Sequence, residues 1–292
     1  MITFVFPGQG AQYSGMGQAL MDHFPQELAT ADRIIGGSAR TLCSSDDAVL
    51  RQTENTQPAL YLINALFLKN AQRMGLHPSM TAGHSLGELN ALQAAGVFDF
   101  ETGLRIAVER GKAMGSAEEN PFQGGMVAAT SVSDLAKLEA FMASQFPEFD
   151  IATRNSPSQV GLSGPREKLK ELCEALHAEG LARAIVLNVG CAFHSRYIEP
   201  STHRFRNWLE TAPLQIEAPR FDVISNVTAA PFPKERQEII ELLVQSLISP
   251  VRWLETVQTI AQRGHVLFHE LGPRSVLTHL IKDVFAAERA ES

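Results

Sequence analysis

Three side chains stand where chemistry could be done: Ser85, His194 and Arg110. Ser85 is the centre of Gly83-His84-Ser85-Leu86-Gly87, a Gly-x-Ser-x-Gly pentapeptide between an apolar stretch and a helical pattern. A serine on so sharp a strand-to-helix turn needs small neighbours on both sides. The helix that follows aims free N–H groups and its positive dipole end at the hydroxyl, where they stabilise developing negative charge. The bland alternative is a helix-capping serine in a glycine-rich loop. An activated serine also needs a base. Of nine histidines, His23, His77, His177 and His203 sit in polar or helical contexts, whereas His194 lies in the small, apolar "VGCAFHSRYIEP". It could meet Ser85 as a general base or be a satisfied structural histidine.

Arg110 stands out by helical phase. In "FETGLRIAVERGKAMG", at about 100° per residue, Glu101, Arg105, Glu109 and Lys112 share one arc. Gly103, Ile106, Ala107 and Met114 share the opposite arc, and Arg110 falls in its middle. A guanidinium on a buried face is costly without a partner. Either a protein carboxylate or a ligand carboxylate must supply one.

These residues need elements to position them. Ile2–Phe6 ("ITFVF") reads as a buried strand, broken by the glycine-rich "PGQGAQYSGMG". Helical patterns follow near Gly17–Phe24, Gln26–Ile35 and Pro58–Met74, and Met80–Ala95 repeats the order strand, glycine loop, helix. Met80-Thr81-Ala82 is a poor strand by propensity. Alternating strands and helices predict an α/β domain with a mostly parallel sheet. The middle reads differently: a strand near Met126–Ser131, a helix capped by Ser133, strands in "DIATRNS" and "QVGLSG", a helix from Pro165 to Gly180, and a strand in "ARAIVLNV". The order βαββαβ is the ferredoxin-like motif. The expected organisation is therefore a catalytic α/β domain over residues 1–124 and 191–292, with a ferredoxin-like insertion over 125–190.

Composition narrows the classes. The 292 residues are 45% hydrophobic and 20% charged, enough for a sizeable core. A net charge of -7 argues against nucleic acid as a partner. No apolar stretch approaches the ~18–20 residues of a membrane span. Cys43, Cys173 and Cys191 form neither a disulfide framework nor a metal spacing, which predicts reduced thiols in a cytoplasmic protein with no metal site.

Eight segments occur in order: "FPGQGAQ", "TQPAL", "GHSLGE", "RGKAMG", "NSPSQV", "AFHS", "ISNVTA" and "SPVRW". Together they resemble the malonyl-CoA:acyl-carrier-protein acyltransferase family, including the free-standing acyltransferases that serve polyketide synthases. The resemblance runs from Phe6 to about Leu280. It implies a hydrolase-like α/β domain with a ferredoxin-like insertion, in agreement with the reading above. It implies that Ser85 is acylated and that His194 is its base and later its acid. The backbone N–H groups of Gln9 and Leu86 would form an oxyanion hole. The imidazole would be held by a backbone carbonyl, at the position of Ser246, instead of by an aspartate. Arg110, 25 residues after the nucleophile, matches the arginine that binds a substrate carboxylate, so malonyl is favoured over acetyl. Phe193 and Leu86 match the malonyl-type signature, where a serine at the Phe193 position goes with the larger methylmalonyl unit. Gln57, Asn155 and His84 become pocket residues.

The expected substrate is malonyl-CoA, a coenzyme A thioester, with no bound cofactor. The expected partner is an acyl carrier protein, for which Arg154, Arg183, Arg196, Arg204 and Arg206 are candidate docking cations. "LQAAGVFDFETG" and Leu89-Asn90 resemble the polyketide-associated branch, which also holds hydrolases that clear stalled carriers. Such a proofreading hydrolase is the alternative reading. A non-catalytic carrier-binding module need not keep Ser85, His194 and Arg110 together.

Overall fold

Two sheets divide the strands between them. The computed structural model describes residues 1–115, 122–264 and 266–291; residues 116–121, part of the expected 1–124 stretch, lie outside the described residues. In chain order the elements are β1 (Ile2–Phe6), α1 (Gln18–Met21), α2 (Pro25–Ile35), α3 (Ala39–Cys43), α4 (Asp47–Leu50), α5 (Thr53–Arg73), β2 (Met80–Gly83), α6 (Gly87–Ala94) and α7 (Phe100–Gly115). Then come β3 (Gly124–Thr130), α8 (Leu135–Gln145), β4 (Asp150–Ser156), β5 (Gln159–Pro165), α9 (Leu169–Ala178) and β6 (Arg183–Leu187). The chain ends with α10 (Glu199–Thr211), β7 (Asp222–Ile224), α11 (Arg236–Gln245), α12 (Trp253–Ala261), β8 (Leu267–Glu270) and α13 (Val276–Glu291).

The first sheet has the order β7-β2-β1-β8 and is parallel throughout. β2 forms despite its weak propensity because of where it lies. It pairs with β1 on one side and β7 on the other, all four of its residues are buried, and Thr81 Oγ1 donates to the Ala91 carbonyl. Burial and pairing on both edges override side-chain preference. The register sets Phe6 beside Gly83 and Ala82 beside Ile224. The loops leaving the C-terminal ends of β1, β2 and β7 therefore emerge side by side, the usual place for a site in a parallel sheet.

The second sheet has the order β4-β5-β3-β6 and is antiparallel throughout. Its strands and helices follow the predicted βαββαβ sequence. One face packs on α8 and α9 around Val127, Leu138, Val160, Leu162 and Leu172. The other face, including Met126, Ala128, Thr153, Asn155 and Leu187, turns toward the first sheet and walls a cavity.

Local boundaries depart from the sequence reading in four places. The helix expected from Pro58 begins at Thr53 and carries Pro58 inside it. The one hydrogen bond lost at the ring is outweighed by burial of most of that helix's residues. The helix expected from Gly17 to Phe24 shrinks to α1, because Gly17 adopts φ 73° and a tight turn follows. Asp134, not Ser133, caps α8, its carboxylate accepting from the Lys137 amide at 3.1 Å, while the Ser133 hydroxyl donates to the Gly180 carbonyl. A carboxylate also gains from the helix dipole. Pro165 ends β5, and a 3-10 turn over Arg166–Lys168 leads into α9. Among the described residues no helix is long and apolar enough to cross a membrane.

Candidate active site

The turn after β2 is the sharpest feature of the first sheet. Ser85 adopts φ 50°, a left-handed conformation that costs roughly 1–3 kcal/mol for a residue with a side chain. The flanking glycines are demanded by contact. A Cβ on Gly83 would lie 2.0 Å from the Gly87 carbonyl carbon, and one on Gly87 would lie 2.0 Å from the Phe6 carbonyl oxygen. The backbone of α6 is thereby pressed against the end of β1, and Ser85 is lifted into the cavity.

His194 enters from the loop after β6, also at φ 55°. Its Nε2 lies 2.8 Å from Ser85 Oγ, and its Nδ1 lies 3.2 Å from the Ser249 carbonyl. The ring's hydrogen bond goes to Ser249, three residues past the Ser246 carbonyl expected to hold it, and Ser246 acts with Ser249 to raise the ring's pKa. Both carbonyls belong to the C-terminal end of α11 and the turn after it, where helical carbonyls lack intrahelical partners. A carbonyl only accepts, so Nδ1 carries the proton and Nε2 offers its lone pair to the serine hydroxyl. Burial, then the charge of Arg110, then His84, push the ring's pKa down to about 3, against the two carbonyls. The imidazole is therefore neutral at neutral pH.

Arg110 is 2% exposed on α7. Its Nη1 donates to Gln57 Oε1 of α5 at 3.0 Å, and its Nη2 donates to Ser85 Oγ at 3.3 Å. Among the described residues no carboxylate lies within ion-pair distance of it. Burial lowers its pKa to about 10, opposed by the charge of Glu88, so it stays cationic. The open question posed by the helical phase resolves toward the cavity: the guanidinium faces the nucleophile, not a protein acid. The Gln57 amide is oriented from behind by Met114 Sδ at 3.3 Å.

All nine residues singled out from the sequence line one cavity of about 300 Å3: Gln9, Gln57, His84, Ser85, Leu86, Arg110, Asn155, Phe193 and His194. Asn155 of β4 accepts from His84 Nε2 at 2.8 Å, and the His84 ring leans on Trp253. Burial lowers the pKa of His84 despite that bond. The Phe193 carbonyl accepts from Ser163 Oγ of β5 at 2.6 Å, and the buried residue lines the cavity. The amides of Gln9 and Leu86 have no partner within the described residues, so both are free to bind an oxygen in the cavity. The five arginines expected as docking cations fare less uniformly. Arg154 pairs with Glu139, Arg196 with Asp150, Arg204 with Glu109 and Arg206 with Glu241. Arg183, exposed on β6, is in no ion pair among the described residues.

Two buried residues were not singled out by sequence. Asn226, in the loop after β7, receives the Ser85 amide, and Glu88, on the first turn of α6, receives Asn226. Both lay inside quoted segments, "ISNVTA" and "GHSLGE", but nothing in residue spacing links positions 138 apart.

The sequence matches the family described as "Acyl transferase domain" over residues 3–292. It is 37% identical to the polyketide biosynthesis protein ThaF of Burkholderia thailandensis and 39% identical to the polyketide biosynthesis protein PksE of Bacillus subtilis. The matches cover 100% and 96% of this chain but only 25% and 36% of those longer relatives. It is 37% identical to the polyketide biosynthesis malonyl CoA-acyl carrier protein transacylase PksC of Bacillus subtilis, covering 96% of each. Among solved structures, the malonyl CoA-acyl carrier protein transacylase of Burkholderia pseudomallei superimposes with a TM-score of 0.90 at 39% identity, covering 98% of each chain. A malonyl-transacylase solved in complex with its type II PKS acyl-carrier protein gives 0.88 at 33% identity, covering 98% of this chain and 93% of that one. With the match running almost end to end, the chain belongs to the acyl transferase domain family.

Proposed function

We propose that this protein transfers a malonyl group from malonyl-CoA, through an ester on Ser85, to the phosphopantetheine thiol of an acyl carrier protein. The observation that carries the reading is Arg110: a buried cation with no carboxylate in ion-pair distance among the described residues, 3.3 Å from the nucleophile. A carboxylate at the far end of a three-carbon acyl group bound to Ser85 is its natural partner, and the pairing is bidentate.

In the first half-reaction Ser85 Oγ attacks the thioester carbonyl while His194 Nε2 takes the hydroxyl proton. The tetrahedral oxyanion is held by the amides of Gln9 and Leu86. Its collapse breaks the C–S bond, and the imidazolium returns the proton to the departing coenzyme A sulfur. In the second half-reaction His194 takes the proton of the carrier thiol, the sulfur attacks the ester, and Ser85 leaves with that proton. Arg110 also tunes the base. Burial does most to lower the basicity of His194, the charge of Arg110 lowers it further, and a substrate carboxylate that neutralises Arg110 relieves that second part. The same argument favours transfer over the proofreading hydrolase, because a stalled chain with an apolar end has no use for the clamp.

The fold reading is a hydrolase-like domain over 1–124 and 191–292 with a ferredoxin-like insertion over 125–190, supported by the βαββαβ order and the strand order β4-β5-β3-β6. The reading requires no metal or bound cofactor, since the chain itself supplies nucleophile, base and anion donors. The proposed setting is the cytoplasm, where coenzyme A thioesters and carrier proteins meet, with no part for nucleic acid or membrane. The test is intact-mass analysis after malonyl-CoA is added, with and without a carrier protein. Transfer predicts one malonyl adduct on Ser85 that is slow to hydrolyse and quick to load the carrier. Rapid deacylation of acetyl-carrier with poor malonyl loading would reverse the assignment.

A further inference from the structure

The backbone ladder of the first sheet ends at Gly83, yet the chain beyond it remains paired. Ile224 of β7 faces Ala82. Two residues further, where a continued β7 would face His84, the partner is the side chain of Asn226. Its Nδ2 donates to the Gly83 carbonyl at 2.6 Å, and its Oδ1 accepts from the Ser85 amide at 2.8 Å. In a parallel ladder a residue donates to the carbonyl before the residue it faces and accepts from the amide after it. The carboxamide of Asn226 reproduces that pattern around His84. It is itself held at two points by one oxygen: Glu88 Oε1 accepts from the Asn226 amide at 2.6 Å and from Nδ2 at 2.9 Å. Both side chains are buried.

We infer that Asn226, anchored by Glu88, is a positioning residue for the nucleophile. Its carboxamide extends the sheet by one residue and holds Ser85 in its left-handed conformation. The inference rests on the reading of Ser85 as nucleophile. Two consequences follow from the hydrogen bonds. The Ser85 amide is occupied, so it is not an oxyanion donor, and the next amide, that of Leu86, is the first one free to face the cavity. The polarity of the clamp is also fixed. An aspartate at position 226 has no N–H for the Gly83 carbonyl and would set a carboxylate against Glu88, whereas a glutamine at position 88 still offers an acceptor oxygen.

The experiment measures two rates on the wild type and on Asn226→Ala, Asn226→Asp, Glu88→Gln and Glu88→Ala. One is labelling of Ser85 by a fluorophosphonate, in which Oγ displaces fluoride. The other is steady-state malonyl transfer. A misplacement of the nucleophile by an ångström is worth about 100-fold. Both Asn226 variants should therefore lose about 10- to 100-fold in labelling rate and in kcat, with the malonyl-CoA KM within about twofold of wild type. Glu88→Gln should keep most of the rate that Glu88→Ala loses. If Asn226→Ala does not fold, the Asn226→Asp and Glu88 pairs decide. Labelling of a folded Asn226→Asp at the wild-type rate, or a rise in KM with unchanged labelling, would overturn the inference. Equal losses in Glu88→Gln and Glu88→Ala would also overturn it. A wild type that labels but takes no malonyl group would sink the functional reading alone, leaving the clamp to be judged on labelling.

Discussion

The two sheets meet at one cavity and contribute unlike things to it. The parallel sheet contributes strained, hydrogen-bonded backbone: Ser85 at φ 50° and the free amides of Gln9 and Leu86, all on loops at strand C-termini. The antiparallel sheet contributes a wall of short or neutral side chains, Ala128, Thr153, Asn155 and Gly161 among them, with two register shifts along β4. Between them hang His194, delivered by the loop that returns from the small sheet, and Arg110, delivered by a helix behind the large one. Chemistry and fit are therefore separable in this molecule. Changes on the parallel side should act on the chemical step, and changes on the antiparallel side should act on which acyl group or thioester is accepted.

The largest effect tests the chemical side. Ser85→Ala should form no acyl-enzyme by intact mass while keeping its circular dichroism and melting behaviour, and a malonyl adduct on that variant would break the comparison. His194→Ala should slow both half-reactions by ~100- to 10,000-fold, the usual range for a lost acid–base group, as read in single-turnover acylation and carrier loading.

Arg110→Ala comes next. Truncating one partner of a buried, hydrogen-bonded charge pair costs about 2–5 kcal/mol, or roughly 30- to several thousand-fold in malonyl transfer. The acetyl-CoA rate should fall far less, so relative acceptance of acetyl rises. Equal falls for both acyl groups would make Arg110 a structural residue.

On the wall side, Phe193→Ser should shift the ratio of malonyl to methylmalonyl transfer toward methylmalonyl. A methyl group in an apolar pocket is worth ~1–3 kcal/mol, so the ratio should move by no more than about 10- to 200-fold. A competition assay with both thioesters reads it directly, and a collapse of kcat for both would place Phe193 on the chemical side.

The smallest effect concerns pH. Burial raises the pKa of Glu88 to about 7, against its bonds from Asn226 and the charge of Arg110, while His194 is lowered to about 3. Between the carboxyl's ordinary value and 7 the native state holds a proton at Glu88 that the unfolded chain releases, so this group's contribution falls as pH rises. His194 acts in the opposite direction: between about 3 and 6.5 the unfolded chain binds the proton that the native ring refuses, so stability falls as pH drops. The two oppose each other from the ordinary carboxyl value up to 6.5. Glu88→Gln removes one of them, so its melting temperature should rise more steeply with pH than the wild type's between pH 5 and 7. Parallel curves would show that Glu88 does not titrate there.

Much of the site was legible because its demands are local. Gly83 and Gly87 are fixed by contacts within a few residues of Ser85 and with the end of β1, so the pentapeptide announces the turn. Arg110 was legible by helical phase, since a charge in an apolar arc is visible without knowing what the arc packs against. The second sheet's βαββαβ order was legible because its six elements follow one another along the chain. Boundaries were less so. Asp134 and Ser133 are both good caps, and only the turn geometry chose between them.

Residue types and their local settings are read directly along the chain: a serine between close-packed glycines, a histidine in an apolar stretch, an arginine on a buried face. The tertiary structure alone decided which of them meet. His194 lies 109 residues from Ser85 and Asn226 lies 141 away, and no periodicity spans such distances. They meet because β7 pairs with β2, setting Asn226 beside the turn, and because the loop after β6 crosses to the turn after α11, where the Ser249 carbonyl accepts from the ring. The partner of Arg110 was settled the same way. Its helix phase required a partner, but only the packing of α5 against α7 aimed the guanidinium at the cavity, with Gln57 and, among the described residues, no carboxylate beside it.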